Sequence, residues 1–175
     1  MIVLKRVLVP TDFSDASTAA VTYGVALARA FNAQLFLLHV VSSRDFDLTV
    51  ERERVLEELL ADNPPPEPPG VADVARHAAR EEFGKILSPQ EEQDVRAEYV
   101  LRTGGVTGPY LEIVRYAKEN DIDLIVMGAH GHSFVAHILT MGSVAEKVVR
   151  RAPCPVLTVR HPEHEFVLPE SNHQL

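Results

Sequence analysis

Residues 123–160 read DLIVMGAHGHSFVAHILTMGSVAEKVVRRAPCPVLTVR, and the order of features in this stretch decides the fold. Leu124 to Met127 form a short apolar run that meets Gly128, as a strand buried on both faces should. A loop bearing Gly128, Gly131 and Gly142 follows. Ser143 to Arg151 keep a helical period until Pro153 and Pro155 stop it, and Val156 to Arg160 make a second apolar run. Strand, helix and strand in this order require a crossover, so the two strands lie parallel.

The same alternation extends toward the amino terminus. Lys5 to Val9, with Ile2 to Leu4 before it, is an apolar run closed by Pro10. Ser14 or Asp15 can cap a helix in which Ala16, Ala19, Ala20, Tyr23, Leu27 and Ala30 recur at helical spacing, with Asn32 suited to its end. Gln34 to Val41 is a second strand. Val50 to Leu60 has an amphipathic helical pattern, and Pro64 to Gly70 reads as a stiff extended connector. Val71 to about Leu87 is expected to be helical and broken by Ser88-Pro89. Val95 to Leu101 alternates, which suits an edge strand, and Leu111 to Lys118 again follow a helical period behind Pro109. Repetition of strand and helix predicts an α/β fold, a parallel sheet with helices on both faces. Ligands of such sheets bind beyond the carboxyl ends of the strands, where the strand order reverses. The unusual residues at strand ends are Pro10-Thr11-Asp12 and Met127-Gly128.

Composition narrows the function. The chain of 175 residues suits one domain, and its formal net charge of −8 repels nucleic-acid backbone and anionic lipid alike. No apolar run is long enough to cross a bilayer, and the first residues read as a strand rather than an export signal. Cys154 has no second cysteine to pair with, so a reducing, cytoplasmic setting is expected, with the thiol structural.

Gly128 and Gly131 follow a strand where the backbone must turn sharply, and Gly142-Ser143 opens a helix whose first N–H groups are unpaired. Together they could cradle a phosphate; a turn followed by a helix with a Ser143–Glu146 capping box is the plainer reading. The chain has neither a P-loop nor a Gly-x-Gly-x-x-Gly dinucleotide fingerprint. His130, His132 and His137 share the loop, yet no carboxylate or cysteine there completes a metal site. His39, within a strand, reads as a satisfied core residue.

The segments VLVPTDFSDAS (7–17), LLHVV (37–41), DLIVMGAHG (123–131) and GSVAEKVVRRAPCPVLTVR (142–160) resemble the universal stress protein family in its nucleotide-binding branch, over nearly the whole span from residue 3 to 160. The resemblance implies an open five-stranded parallel sheet of order 3-2-1-4-5 with helices on both faces, the adenine nucleotide alpha hydrolase-like architecture. It implies one domain over residues 1–161, with a Pro-rich insert at about 62–70, and a tail over 162–175. It places Pro10, Thr11 and Asp12 beside the adenosine, Val40 against the adenine through its main chain, and Met127 packed on it. Gly128, His130, Gly131, Gly142, Ser143 and Val144 would line the phosphates. The implied ligand is ATP or AMP, with Asp12 a candidate magnesium ligand through the phosphates. The implied partner is a second copy, paired through Val156, Leu157, Thr158 and Val159. One departure stands out: ten residues separate Gly131 from Gly142, where the family has nine, and Phe134-Val135 put bulk in mid-loop. That motivates an alternative, a dimeric interaction protein of the same fold without nucleotide. Efficient ATP hydrolysis would need a base and strong charge neutralisation, and the glycine loop carries no lysine, so no residue is assigned a catalytic role.

Overall fold

The computed structural model describes residues 2–42, 79, 81–104, 108–129 and 143–160. Five strands, β1 (Arg6–Pro10), β2 (Gln34–Ser42), β3 (Glu98–Gly104), β4 (Leu124–Gly128) and β5 (Val156–Val159), form one sheet. All its neighbours are parallel and its order is β3-β2-β1-β4-β5. The helices whose two ends both lie among the described residues are α1 (Asp15–Phe31), α2 (Pro89–Asp94), α3 (Pro109–Glu119) and α4 (Ser143–Arg151).

Alternation along the strands divides the core into two layers. Val7, Val9, Leu35, Leu37 and Val126 point to the face covered by α1 and by Phe83 and Leu87. Leu8, Phe36, Leu38, Val40, Ile125 and Met127 point to the opposite face, covered by Ile113, Tyr116 and Ala117 of α3 and Ala145 and Val148 of α4. Strands buried on both faces need continuous apolar sequence, which is why β1, β2 and β4 lack polar alternation. Helix α1 lies very close to β1: a Cβ on Gly24 would fall 2.4 Å from Val9 Cγ2.

Most expected elements form within a residue or two of their expected limits. The helix expected over 71–87, of which residues 79 and 81–83 are described and helical, is broken before Ser88-Pro89 as expected, but a second, unforeseen helix begins there. Ser88 caps α2 with a complete capping box to Glu91, and Pro89 occupies the first turn. The third strand accordingly starts at Glu98 rather than Val95, and Val95 is a buried residue closing α2. The expected helix at 50–60, the Pro-rich insert and the tail over 162–175 lie outside the described residues. Among the described residues no helix is long and apolar enough to cross a membrane.

Candidate functional site

At the amino edge of the sheet β1 and β4 are clamped together. Asp123, just before β4, accepts hydrogen bonds at Oδ2 from the main-chain N–H groups of Lys5 (2.7 Å) and Arg6 (2.9 Å). At the carboxyl edge they part. Pairing of β1 with β4 ends at Leu8↔Ile125, although β1 runs to Pro10 and β4 to Gly128. The cause lies in Pro10. Successive residues of an inner strand present their main-chain groups alternately to one neighbour and the other. Thr11 N–H donates to Leu38 C=O of β2, so Pro10 faces β4, and it has no N–H to offer. Ala129 N–H donates to Val159 C=O of β5 (2.8 Å), so the preceding Gly128 turns its main chain toward the gap beyond β1. The gap sits where the chain order reverses, the position at which open parallel sheets hold ligands.

The β1–β2 ladder ends in an equally specific way. Its last rung is Thr11 N–H to Leu38 C=O at 2.8 Å. Continuation would have Val40 N–H donate to Thr11 C=O, and that rung is not formed. Thr11 C=O accepts instead from His39 Nδ1 at 2.8 Å. A carbonyl only accepts, so the proton resides on Nδ1. Val40, with a side chain packed among Leu8, Leu38 and Met127 and only 8 % exposed, is left with main-chain groups facing the end of β1. Its side chain also requires Gly104 alongside in β3: a Cβ there would lie 2.9 Å from Val40 Cγ1.

The turn from β1 into α1 is held at several points. Thr11 Oγ1 is 3.0 Å from both Ser17 Oγ and Phe13 N–H, the latter donating to it. Asp12 Oδ1 accepts from Ser14 N–H (3.2 Å) and Ser14 Oγ (2.5 Å), while Ser14 caps α1 by accepting from Ser17 N–H. Asp12 thus supports the cap through Ser14, whatever else it contacts. Phe13 has φ of 63°, a region costly for a bulky side chain. Its ring packs on His39 (centroids 4.5 Å apart) and edge-on to Phe83 (5.4 Å), which offsets that cost. Phe83 continues to Tyr99, whose hydroxyl donates to Glu92. Burial, then the Glu92 carboxylate, pushes the Tyr99 hydroxyl pKa up.

The structure brings Pro10, Thr11, Asp12, Val40, Met127 and Gly128 to one edge of the sheet, with Ser143 opening α4 and Val144 packed against the cluster that holds Val40 and Met127. His130, Gly131 and Gly142 lie outside the described residues, as does the Ser143 half of the expected capping box. Glu146 forms an ion pair with Arg150 (3.0 Å). Phe13 and His39 are additions to the expected site; they meet where the turn after β1 lies against β2, a contact that no local pattern announces. Among the described residues no group of three His, Cys, Asp or Glu side chains could hold a metal ion.

The model of the Universal stress protein family matches residues 4–160. The chain belongs to the universal stress protein family. A universal stress protein of Methanocaldococcus jannaschii is 32 % identical over 92 % of this chain and 85 % of its own length. The solved universal stress protein UspA from Lactobacillus plantarum superposes with a TM-score of 0.62 at 32 % identity, covering 91 % of this chain and all of that one. A more distant universal stress protein, from Archaeoglobus fulgidus and solved in complex with dAMP, has a TM-score of 0.52 at 22 % identity over 91 % of this chain and 99 % of that one. At that identity it speaks to the fold, which this universal stress protein shares.

Proposed function

We propose that this chain binds an adenine nucleotide, ATP or AMP, in the crevice between the carboxyl ends of β1 and β4, and acts as a regulatory or signalling dimer. The observation that carries the reading is the interrupted ladder. Gly128 turns its main chain to the gap that Pro10 opens at the switch point, and Val40, on the other side of β1, turns its own toward the end of that strand. Main-chain donors and acceptors withheld from a sheet need another partner, and the edge of a purine supplies both kinds. Met127 adds an apolar side chain on the same face as Val40. Helix α4 begins at Ser143, and the unpaired N–H groups and positive end of a helix favour an anion there. In this reading Gly128, His130, Gly131, Gly142, Ser143 and Val144 line the phosphates. Pro10, Thr11 and Asp12 flank the adenosine, and magnesium accompanying ATP is held by the phosphates with Asp12 nearby.

The dimer contact is β5, at one edge of the sheet. Its four residues carry no charge and Leu157 is 38 % exposed, whereas the opposite edge, β3, shows charged Glu98 and Arg102 to solvent. Charged edges resist strand addition and uncharged ones invite it.

The test is to heat-denature the purified protein and weigh the small molecules released. Adenine nucleotide near one equivalent per chain, or a thermal shift with ATP and magnesium, is the expected result. An empty supernatant with no shift favours the second reading, an interaction protein without nucleotide, for which the ten-residue spacing between Gly131 and Gly142 argues.

A further inference from the structure

The geometry points to His39 as the positioning residue that keeps the Val40 main chain available to ligand: its imidazole occupies the Thr11 carbonyl to which Val40 N–H would otherwise donate. The inference rests on the adenine-binding reading of this edge and adds how the edge is kept open.

Each step follows from the ladder. Parallel strands β1 and β2 stay in register from Arg6↔Gln34 to Pro10↔Leu38, and Thr11 N–H still donates to Leu38 C=O. Chain direction and register therefore bring Thr11 C=O to the place where Val40 N–H would find it. A sheet with both groups present ordinarily adds that rung, since an unpaired main-chain donor at a largely buried residue is costly. His39 prevents it. Lying between Leu38 and Val40, it has its own main chain directed to β3 and its side chain on the α1 face, where Phe13 packs on the ring at 4.5 Å. From there Nδ1–H donates to Thr11 C=O at 2.8 Å. One side-chain hydrogen bond replaces one main-chain hydrogen bond. The Thr11 carbonyl stays satisfied, the turn carrying Asp12 stays fixed, and the Val40 N–H is what remains for a ligand. An imidazole protonated on Nδ1 and an imidazolium both present this N–H, so the device is the same in either form.

Two substitutions separate the donor from the ring. His39→Phe keeps an aromatic face for Phe13 and removes the donor; His39→Asn removes the ring and keeps an N–H at the position of Nδ1. The readouts are amide hydrogen exchange at Val40, with Leu38 as internal reference, and calorimetric titration with AMP and ATP. In the unsubstituted protein without nucleotide, Val40 is expected to exchange at least about tenfold faster than Leu38. In His39→Phe the missing rung forms, Val40 becomes protected, and nucleotide affinity drops about tenfold, the size of one lost hydrogen bond. In His39→Asn both quantities stay within about threefold of the unsubstituted protein. Equal protection of Val40 and Leu38 before substitution overturns the inference without need of any variant, as does unchanged affinity in a folded His39→Phe protein. If the unsubstituted protein binds neither nucleotide, the adenine reading fails, and the Val40 exchange still decides whether His39 holds the edge open.

Discussion

At the scale of single residues, burial shifts one thiol and two phenols. Cys154, half-buried before β5, has its thiol pKa pushed up by burial and by the nearby Asp123 carboxylate. The thiolate is the reactive form, so Cys154 should react with a disulfide reagent at pH 8 several-fold more slowly in the native protein than in urea; equal rates would contradict the structural reading of this thiol. The hydroxyls of Tyr99 and Tyr116 are also raised, in both cases chiefly by burial. A group whose pKa is higher folded than unfolded supports folding below its unfolded pKa and withdraws that support as pH rises. Unfolding midpoints in urea should therefore be level at neutral pH and fall above about pH 9–10, where thiols and phenols begin to ionise in the unfolded chain. Cys154→Ala should flatten the start of that decline, and a midpoint rising with pH there would be the wrong sign. His39 shows what remained illegible at this scale. Its expected status as a satisfied buried side chain was near the mark, yet its partner, the carbonyl of Thr11, is 28 residues away along the chain, and only strand pairing brings them together.

At the scale of elements, sequence pattern was most informative where two rules agreed. Helix α1 has Ser14 as N-cap and Asn32 in the left-handed conformation at its end, as its flanking residues suggested. Ser14→Ala should cost about 1 kcal/mol in urea unfolding through loss of the cap; no loss would place the cap elsewhere. Gly24 gives a sharper test. Alanine is normally the better helix former by about 1 kcal/mol, but here its methyl meets Val9 of β1. Gly24→Ala should therefore destabilise by about 1–3 kcal/mol, and adding Val9→Ala should recover part of the loss by making room. A stabilised single variant would show that α1 can move off the sheet. Helix α2 was legible but missed: Ser88-Pro89-Gln90-Glu91 carries both the capping-box spacing and a proline at the first helical position. Here Ser88-Pro89 both separates α2 from the helix before it and starts α2, because proline after a capping serine suits a first helical turn.

At the scale of the molecule, alternation of strands and helices predicts a parallel sheet but leaves its strand order open, because order depends on which side of the sheet each crossover takes. The resemblance to universal stress proteins supplied 3-2-1-4-5, and the sheet has that order. The order makes Pro10 and Gly128 neighbours across the switch point and leaves β5 at an edge. Leu157→Glu puts a charge on that edge and should convert a dimer to monomer in light scattering with little change in helix content; an unchanged mass would move the contact elsewhere. The account as a whole turns on main-chain groups at the mouth of β1 and β4 being available to an adenine nucleotide. Calorimetric titration of the nucleotide-free protein with AMP and with ATP and magnesium tests it most directly. The account predicts saturable binding at one site per chain that Gly131→Val abolishes while the chain stays folded, whereas no binding at millimolar nucleotide, or binding that Gly131→Val leaves intact, would contradict it.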